Sequence, residues 1–464
     1  MRDALEAGGD HDSGSEPSVG ASAPAPITPR ERLDSMDLIR GVAIFGILVV
    51  NMAFFAMPFA HAIYPAAYDA WPAADRWSHL IVKVLFEYKF ISTFSVLFGA
   101  GLIMQWLRAS SRGASFAPLH YRRMALLALF GLMHGFLLWY GDILFIYACV
   151  GSVFFFFRTL KPRTMFVIAA ALLAISMVFT TGFTALNVLT ESAKREAREA
   201  ASMTDDGATA EIIEEGSSAG ADAASGADAA DVPRGFDAMM KAQFDFFNDS
   251  WVRGEELAYR DGPWADAMLF RGVSFAFALL FTVFGFGWHI LAMFLIGGAL
   301  MKLDFFSSSQ GAMQKRAAMI GLILGGVLEI AYGALMSITP GVIDWPDIAA
   351  APLQALGAPL LCLGYVGALA WVAGSGAGRV LLAPLRAVGR MALSAYLLTT
   401  VIVTFLMYHW GLGWFGSVGR FDQLMIAVVV YAGLVVFCTA WMACFRYGPF
   451  ERLWRAVTYA RATV

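Results

Sequence analysis

Residues 122–151 read "RRMALLALFGLMHGFLLWYGDILFIYACVG". Two apolar runs flank a Gly-Asp reversal at 141–142, and a bilayer core of about 30 Å takes roughly 20 mostly apolar helical residues. The spacing predicts two membrane helices joined by a short turn. Arg122 and Arg123 stand at the start of the pair, and Arg158, Lys161 and Arg163 follow its end. Both open ends therefore face the same basic side, which the positive-inside rule places in the cytoplasm.

The same pattern recurs along the chain. Apolar runs lie near 37–57, 81–106, 123–140, 143–160, 164–188, 270–301, 317–338, 351–373, 390–410 and 424–445. The 464 residues are 59% hydrophobic and 15% charged, with a mean hydropathy of +0.63, too apolar for a soluble protein of this length. The expected class is an all-α polytopic membrane protein of about ten transmembrane helices. Lys302, Lys315, Arg316, Arg379, Arg386 and Arg390, then Arg446, Arg452, Arg455 and Arg461, fall on the same side as Arg122, so both termini are expected in the cytoplasm.

Five segments are expected. Residues 1–32, rich in Gly, Ala, Ser and Pro, read as a disordered cytoplasmic tail without a cleavable signal peptide. Residues 33–190 form an N-terminal five-helix half, and 270–446 a C-terminal one. Between them, acidic residues outnumber basic ones 18 to 7 over 191–266, which makes 191–269 an acidic extracytoplasmic loop with a disordered centre. Its flank "FDAMMKAQFDFFNDSWVRGEELAYRDGPW" alternates aromatics with charges and suits a short helix on the outer surface or over a vestibule. The segment 447–464 puts Phe450, Leu453, Trp454 and Val457 on one helical face, as an interfacial cytoplasmic helix would.

Several functions are excluded. Cys149, Cys362, Cys438 and Cys444 lie singly in apolar runs and read as small hydrophobes, so no metal is expected. A net charge of −3 and the lack of an arginine strip interleaved with aromatics set nucleic acid aside.

The ionisable residues inside the oil carry the functional signal, because such residues face a bundle interior or a watery cavity. The second run holds His79, Lys83, Glu87 and Lys89. Lys83 and Glu87 are four apart and can pair on one helix face, leaving Lys89 without a local partner. His134 reads either as a neutral imidazole bonded to a neighbouring helix or as a general acid or base, oriented by Glu87. Asp142 precedes an apolar run and suits a helix N-cap. Eight residues of straight helix separate it from His134 by about 12 Å of rise, so the two meet only if the chain folds back near Gly141. At the basic face Asp37 is expected to cap the first helix, and Gly41 and Gly46 to permit close helix approach. Arg40, Arg122, Arg123 and Arg390 can form a mouth for an anionic ligand, or each can reach for lipid phosphates.

"MDLIRGVAIFGILVVNM", "KFISTFSVLFGAGL", the opening stretch, "FLIGGALMK", "VGRMALSAYLL" and "FRYGPFERLWRAVTY" together resemble the DUF418, or YeiB-like, family of bacterial inner-membrane proteins. The resemblance covers residues 33–460. Its first two helices are similar to those of the transmembrane acyltransferases, with Asp37 and Arg40 in the "LDxxRGxA" start and Phe94, Leu97, Phe98 and Gly99 in the "F-x-x-LFG" segment. That resemblance implies transfer of a short acyl group from cytoplasmic acyl-CoA, as donor substrate, to a sugar or lipid acceptor beyond the membrane. His134 and Asp142, with Glu87, would supply acid–base chemistry, and Lys89 or backbone donors the oxyanion. His79 matches the place where the N-acetyltransferases of that group keep a histidine, so the choice between His79 and His134 stays open. Ala395 and Thr399 stand where the family pattern has amides, which implies a different substrate choice. The rival function is a transporter of a small polar or anionic metabolite. The partners expected are membrane lipids and a small-molecule or glycan acceptor, with a homo-oligomer allowed.

Overall fold

The computed structural model describes residues 34–64, 70–204 and 233–459. The expected tail at 1–32 and the centre of the acidic loop at 205–232 lie outside the described residues. Regular structure among those described is helical throughout.

The N-terminal half contains α1 (Asp34–Ala56), the short α2 (Phe59–Ile63), α3 (Ala73–Leu85), α4 (Lys89–Ser111), α5 (Ala117–Leu137), α6 (Leu144–Phe154) and α7 (Pro162–Thr204). Two helices follow in the acidic connection, α8 (Gly235–Lys241) and α9 (Asp249–Arg260). The C-terminal half contains α10 (Trp264–Phe281), α11 (Gly287–Lys302), α12 (Gly311–Ile320), α13 (Gly326–Met336), α14 (Trp345–Gly374), α15 (Gly376–Leu381), α16 (Ala383–Arg390), α17 (Ala392–Met407), α18 (Arg420–Cys444) and α19 (Pro449–Tyr459). Single π turns at Thr282–Phe286 and Gly321–Gly325 join α10 to α11 and α12 to α13.

Seven helical segments among the described residues are long and apolar enough to cross a membrane, and the pair α16–α17, bent by 86°, makes an eighth. These account for eight of the ten expected runs. The remaining two, 123–140 and 143–160, form α5 and α6. With its following 3-10 turn, α6 runs only from Leu144 to Phe157, about 20 Å at helical rise against a core of about 30 Å. The reversal between α5 and α6 therefore lies deep. Irregular backbone at such depth survives only when protein covers it. Trp139, Tyr140, Asp142 and Ile143 are accordingly all buried, Trp139 stacks on Phe55 at 4.0 Å, and Trp139 Nε1 and the Tyr140 hydroxyl both donate to the Phe54 carbonyl.

The centre of the molecule is α11, whose residues His289 to Leu300 are all buried. It crosses α4 without room for side chains between the backbones. A Cβ added at Gly297 would stand 1.9 Å from the Val96 carbonyl oxygen, and one at Gly99 would stand 2.1 Å from that of Phe294. The outermost helix is α7. It extends through 43 residues, past the expected end at 188, so the acidic connection begins as a continuation of a membrane helix.

The aromatic flank of that connection folds back as α8 and α9. Ala238, Met239, Trp251 and Tyr259 join Phe55, Trp139 and Tyr140 in one apolar cluster. This segment caps the α5–α6 turn. The C-terminal helix also departs from a purely interfacial role: α19 packs on α5 and α17, with Trp454 against Phe130.

Candidate active site

Near its end α5 presents His134, which is 2% exposed. The helix stops at Leu137, three residues before the expected boundary, because the Arg271 guanidinium of α10 donates to the Phe136 and Leu137 carbonyls, the latter at 2.6 Å. A cation there satisfies carbonyls that the helix leaves open and complements its dipole. The chain then reverses and brings Asp142 back onto His134. Asp142 Oδ2 lies 2.9 Å from His134 Nδ1, while Oδ1 accepts from the Phe145 amide at 2.8 Å. One carboxylate thus bonds both the first turn of α6 and the histidine, from the position just before the N-cap Ile143 rather than from the cap itself. Gly131 makes room for this, since a Cβ at 131 would stand 2.6 Å from Asp142 Oδ1 and 2.2 Å from Phe145 N.

The other imidazole nitrogen, Nε2, lies 3.0 Å from Thr400 Oγ1 on α17. With Nδ1–H donated to the carboxylate, Nε2 is the acceptor and the threonine hydroxyl the donor. Tyr396, one helical turn earlier, sets its ring 5.0 Å from the imidazole. Sequence reasoning noticed Thr399 and passed over Thr400, Tyr396 and Arg271. The presence of two adjacent threonines in an apolar run was the available signal, but only the fold says which one faces the histidine.

Thr400 and Tyr396 form part of the wall of a cavity of about 360 Å³, within the usual range for ligand pockets. Its deeper wall is apolar, with Leu48, Phe55, Phe94 and Ile143; Asn51 adds an amide. Arg40, Arg123, Arg390 and Arg455 line the same cavity with Asp37 and Glu451. Arg40 pairs with Asp37 at 2.9 Å; α1 begins at Asp34, so Asp37 lies within its first turn rather than at the expected cap and holds the arginine there. Arg123 lies 5.7 Å from the Trp454 ring. Arg122 points away from the cavity and donates to the Val457 carbonyl. Three of the four expected arginines therefore line the mouth, and Arg455 of α19 joins them. Glu451 closes the rim by accepting from the Leu393 and Ser394 amides at the start of α17, at 2.8 and 3.0 Å.

Glu87 and Lys89 belong elsewhere. Lys89 is fully buried and bonds Glu329 of α13 at 2.6 Å, with the Lys83 carbonyl as a further acceptor. Glu87 pairs with Lys83 at 3.1 Å and accepts from Gln354. Neither reaches His134, which corrects the expected roles of Glu87 as orienter and Lys89 as oxyanion donor. The physical reason is the bend at Phe86–Tyr88, where Tyr88 takes φ 63° and α3 packs against α13 and α18. His79 lines a separate pocket of about 30 Å³ with Lys83, Glu87 and Arg420, against the α1 residues Val49, Val50, Ala53 and Phe54 rather than those that line the large cavity. Above the α5–α6 turn, the buried Glu255 of α9 accepts from the Phe59 amide at 3.2 Å, and desolvation pushes its carboxyl up to about 8. Among the described residues no three His, Cys, Asp or Glu side chains are grouped as a metal site would require.

Comparison with known proteins identifies relatives of the whole chain. The family model "Protein of unknown function (DUF418)" matches residues 300–461. YxaH of Bacillus subtilis is 31% identical across 94% of this chain and 96% of its own length. YeiB of Escherichia coli is 27% identical across 93% and 97%, and a 39.9 kDa protein encoded in the amylase 3′ region of Bacillus acidopullulyticus is 24% identical across 94% and 96%. All three are described as uncharacterised. No solved structure matches the chain.

Proposed function

The chain belongs to the DUF418 family, and from that premise we propose that it is a membrane acyltransferase taking a short acyl group from acyl-CoA. The acceptor is a hydroxyl or amine on a sugar or lipid at the opposite face of a bacterial inner membrane. Both termini and the arginine mouth face the cytoplasm in this reading, as the distribution of Lys and Arg in the short loops suggests.

The observation that carries the reading is the hydrogen-bonded line Asp142–His134–Thr400, ending in the wall of a cavity whose polar lining also includes four arginines, with Asp37, Asn51 and Glu451. An acyl-CoA has phosphates at one end and a thin, mostly apolar arm with the thioester at the other. The arginines suit the phosphates, since guanidinium binds them through paired donors. The apolar wall suits the arm. His134, held in one tautomer by Asp142, is placed to remove a proton from a hydroxyl beside the thioester carbon. Tyr396 and Asn51 line the same space and are the candidate donors to the oxyanion.

The test is acetyl-CoA binding and hydrolysis by the purified protein in detergent, with wild type beside His134→Ala. Saturable binding with slow hydrolysis that the substitution abolishes supports the proposal; absence of binding at millimolar donor overturns it for acetyl-CoA. A second reading, a proton-coupled transporter of a small anion, is favoured by the Lys89–Glu329 pair, because ion pairs buried in membrane helices often mark relays. Uptake into sealed vesicles that needs a gradient and fails in Glu329→Gln would favour it.

A further inference from the structure

Hydroxyls on apolar helices usually turn inward and bond the carbonyl four residues back. This protein follows the habit closely. Thr93, Ser95, Thr282, Thr399, Thr404 and Thr439 all do so at 2.7–2.8 Å. Thr400 departs from it. Its distance to the Tyr396 carbonyl is 3.4 Å, whereas its distance to His134 Nε2 is 3.0 Å. The hydroxyl keeps only a long contact to its own helix and leans toward the imidazole, and Thr400 lines the cavity. A hydroxyl bonded to a histidine whose far nitrogen is held by a buried carboxylate is the arrangement that activates a nucleophile.

We infer that Thr400 is itself acylated, and that the protein passes its acyl group from donor to acceptor through an ester on Thr400 Oγ1. This deepens the acyltransferase reading and rests on it for the identity of the donor. In the first half, His134 Nε2 takes the Thr400 proton while Oγ1 bonds the thioester carbonyl carbon. The carbon–sulfur bond breaks, and the departing thiolate takes the proton from His134 to leave as free thiol. In the second half, the acceptor hydroxyl or amine gives its proton to His134 and attacks the ester carbonyl. The acyl–Oγ1 bond breaks, and Oγ1 recovers the proton. Each half returns His134 neutral, and nothing is oxidised or reduced.

A covalent relay has a physical advantage here. Thr400 sits at the junction between the cavity and the buried α5–α6 turn, so donor and acceptor can occupy the reaction centre in turn. Neither has to be present while the other binds, which removes the need for two large polar molecules to meet inside an apolar bundle.

The experiment treats the purified full chain in detergent with acetyl-CoA and, in parallel, with p-nitrophenyl acetate, which needs no CoA site. Peptide mapping by mass spectrometry then locates the label. One acetyl group on Thr400 from both reagents, retained in Thr400→Ser and absent from His134→Ala and the near-isosteric Thr400→Val, is the expected result. Nitrophenolate release should show a burst in wild type and fall about a hundredfold or more in Thr400→Val. Label from the ester but none from acetyl-CoA would keep the Thr400 nucleophile and remove CoA as donor. Acetyl-CoA turnover that survives Thr400→Val would overturn the relay and leave the acyltransferase, with direct attack by the acceptor. No label at Thr400 from either reagent also overturns it.

Discussion

Two groups of polar side chains lie inside this bundle, and they differ in what their last atom faces. Lys89 and Glu329 are both fully buried and bond each other at 2.6 Å; Lys89 also donates to the Lys83 carbonyl, and neither side chain lines the large cavity. Asp142 and His134 are just as deeply buried, but their line continues to Thr400 and ends at a cavity. Burial of charge alone therefore says little about chemistry. What separates the two is the cavity: the first pair stands away from it, whereas the second reaches it through a hydroxyl.

The largest effect that would break this contrast is on turnover. His134→Ala should lower acyl transfer per folded molecule by about 10²–10⁴-fold, the usual worth of a positioned general base, and should also lower the unfolding temperature, because it leaves the buried Asp142 carboxylate without its partner. Equal turnover in the variant would put the histidine among the packing residues. Next comes stability. Removing one partner of a buried ion pair leaves an uncompensated charge, so Glu329→Ala should cost about 3–5 kcal/mol, while the double change Lys89→Met with Glu329→Leu should be near neutral. Thermal unfolding in detergent reads both, and a double variant as unstable as the single one would mean that the pair holds something beyond itself.

A smaller effect concerns the cap. The Glu255 carboxyl is raised from the ordinary 4.5 to about 8 by burial, so the folded cap keeps its proton where the unfolded chain has lost it. Cap stability should then be greatest below about pH 4.5, fall by at most about 1.4 kcal/mol per unit as pH rises to about 8, and flatten above. Hydrogen exchange over α8 and α9 should show the slope in wild type and lose it in Glu255→Gln. The smallest effect belongs to the rim. Arg40→Gln should raise KM for acyl-CoA roughly fivefold, about 1 kcal/mol, and leave kcat nearly unchanged. A fall in kcat with constant KM would place Arg40 at the reacting atoms instead.

The sequence was informative where neighbours along the chain decide the outcome. The ten apolar runs are all helical, and Lys83–Glu87 pairs at its four-residue spacing. Close approach at Gly41 and Gly46 is also present: a Cβ at 41 would stand 2.0 Å from the Leu385 carbonyl, and one at 46 the same distance from the Phe90 ring. Residues far apart in sequence were invisible. Lys89 and Glu329 are 240 positions apart, and His134 and Thr400 are 266 apart; no periodicity encodes either meeting. Glu87 was assigned to His134 by proximity of type rather than of place, and the bend at Tyr88 sends it elsewhere. Asp142 shows the intermediate case, since its bond to the first turn of α6 is local and its histidine contact needs a turn whose geometry depends on Arg271.

Glu451 ties α19 to the start of α17, and Trp454, Arg455 and Tyr459 complete the cavity rim. Synthesis runs from the N-terminus, so the ribosome delivers the floor of this cavity on α1 and α4 long before its rim. While the later helices insert, Arg40 and Arg123 stand without Arg390 and Arg455, which join them in the cavity wall. The cavity gains its last wall only after Tyr459 has cleared the exit tunnel, so this part of the bundle is among the last to close.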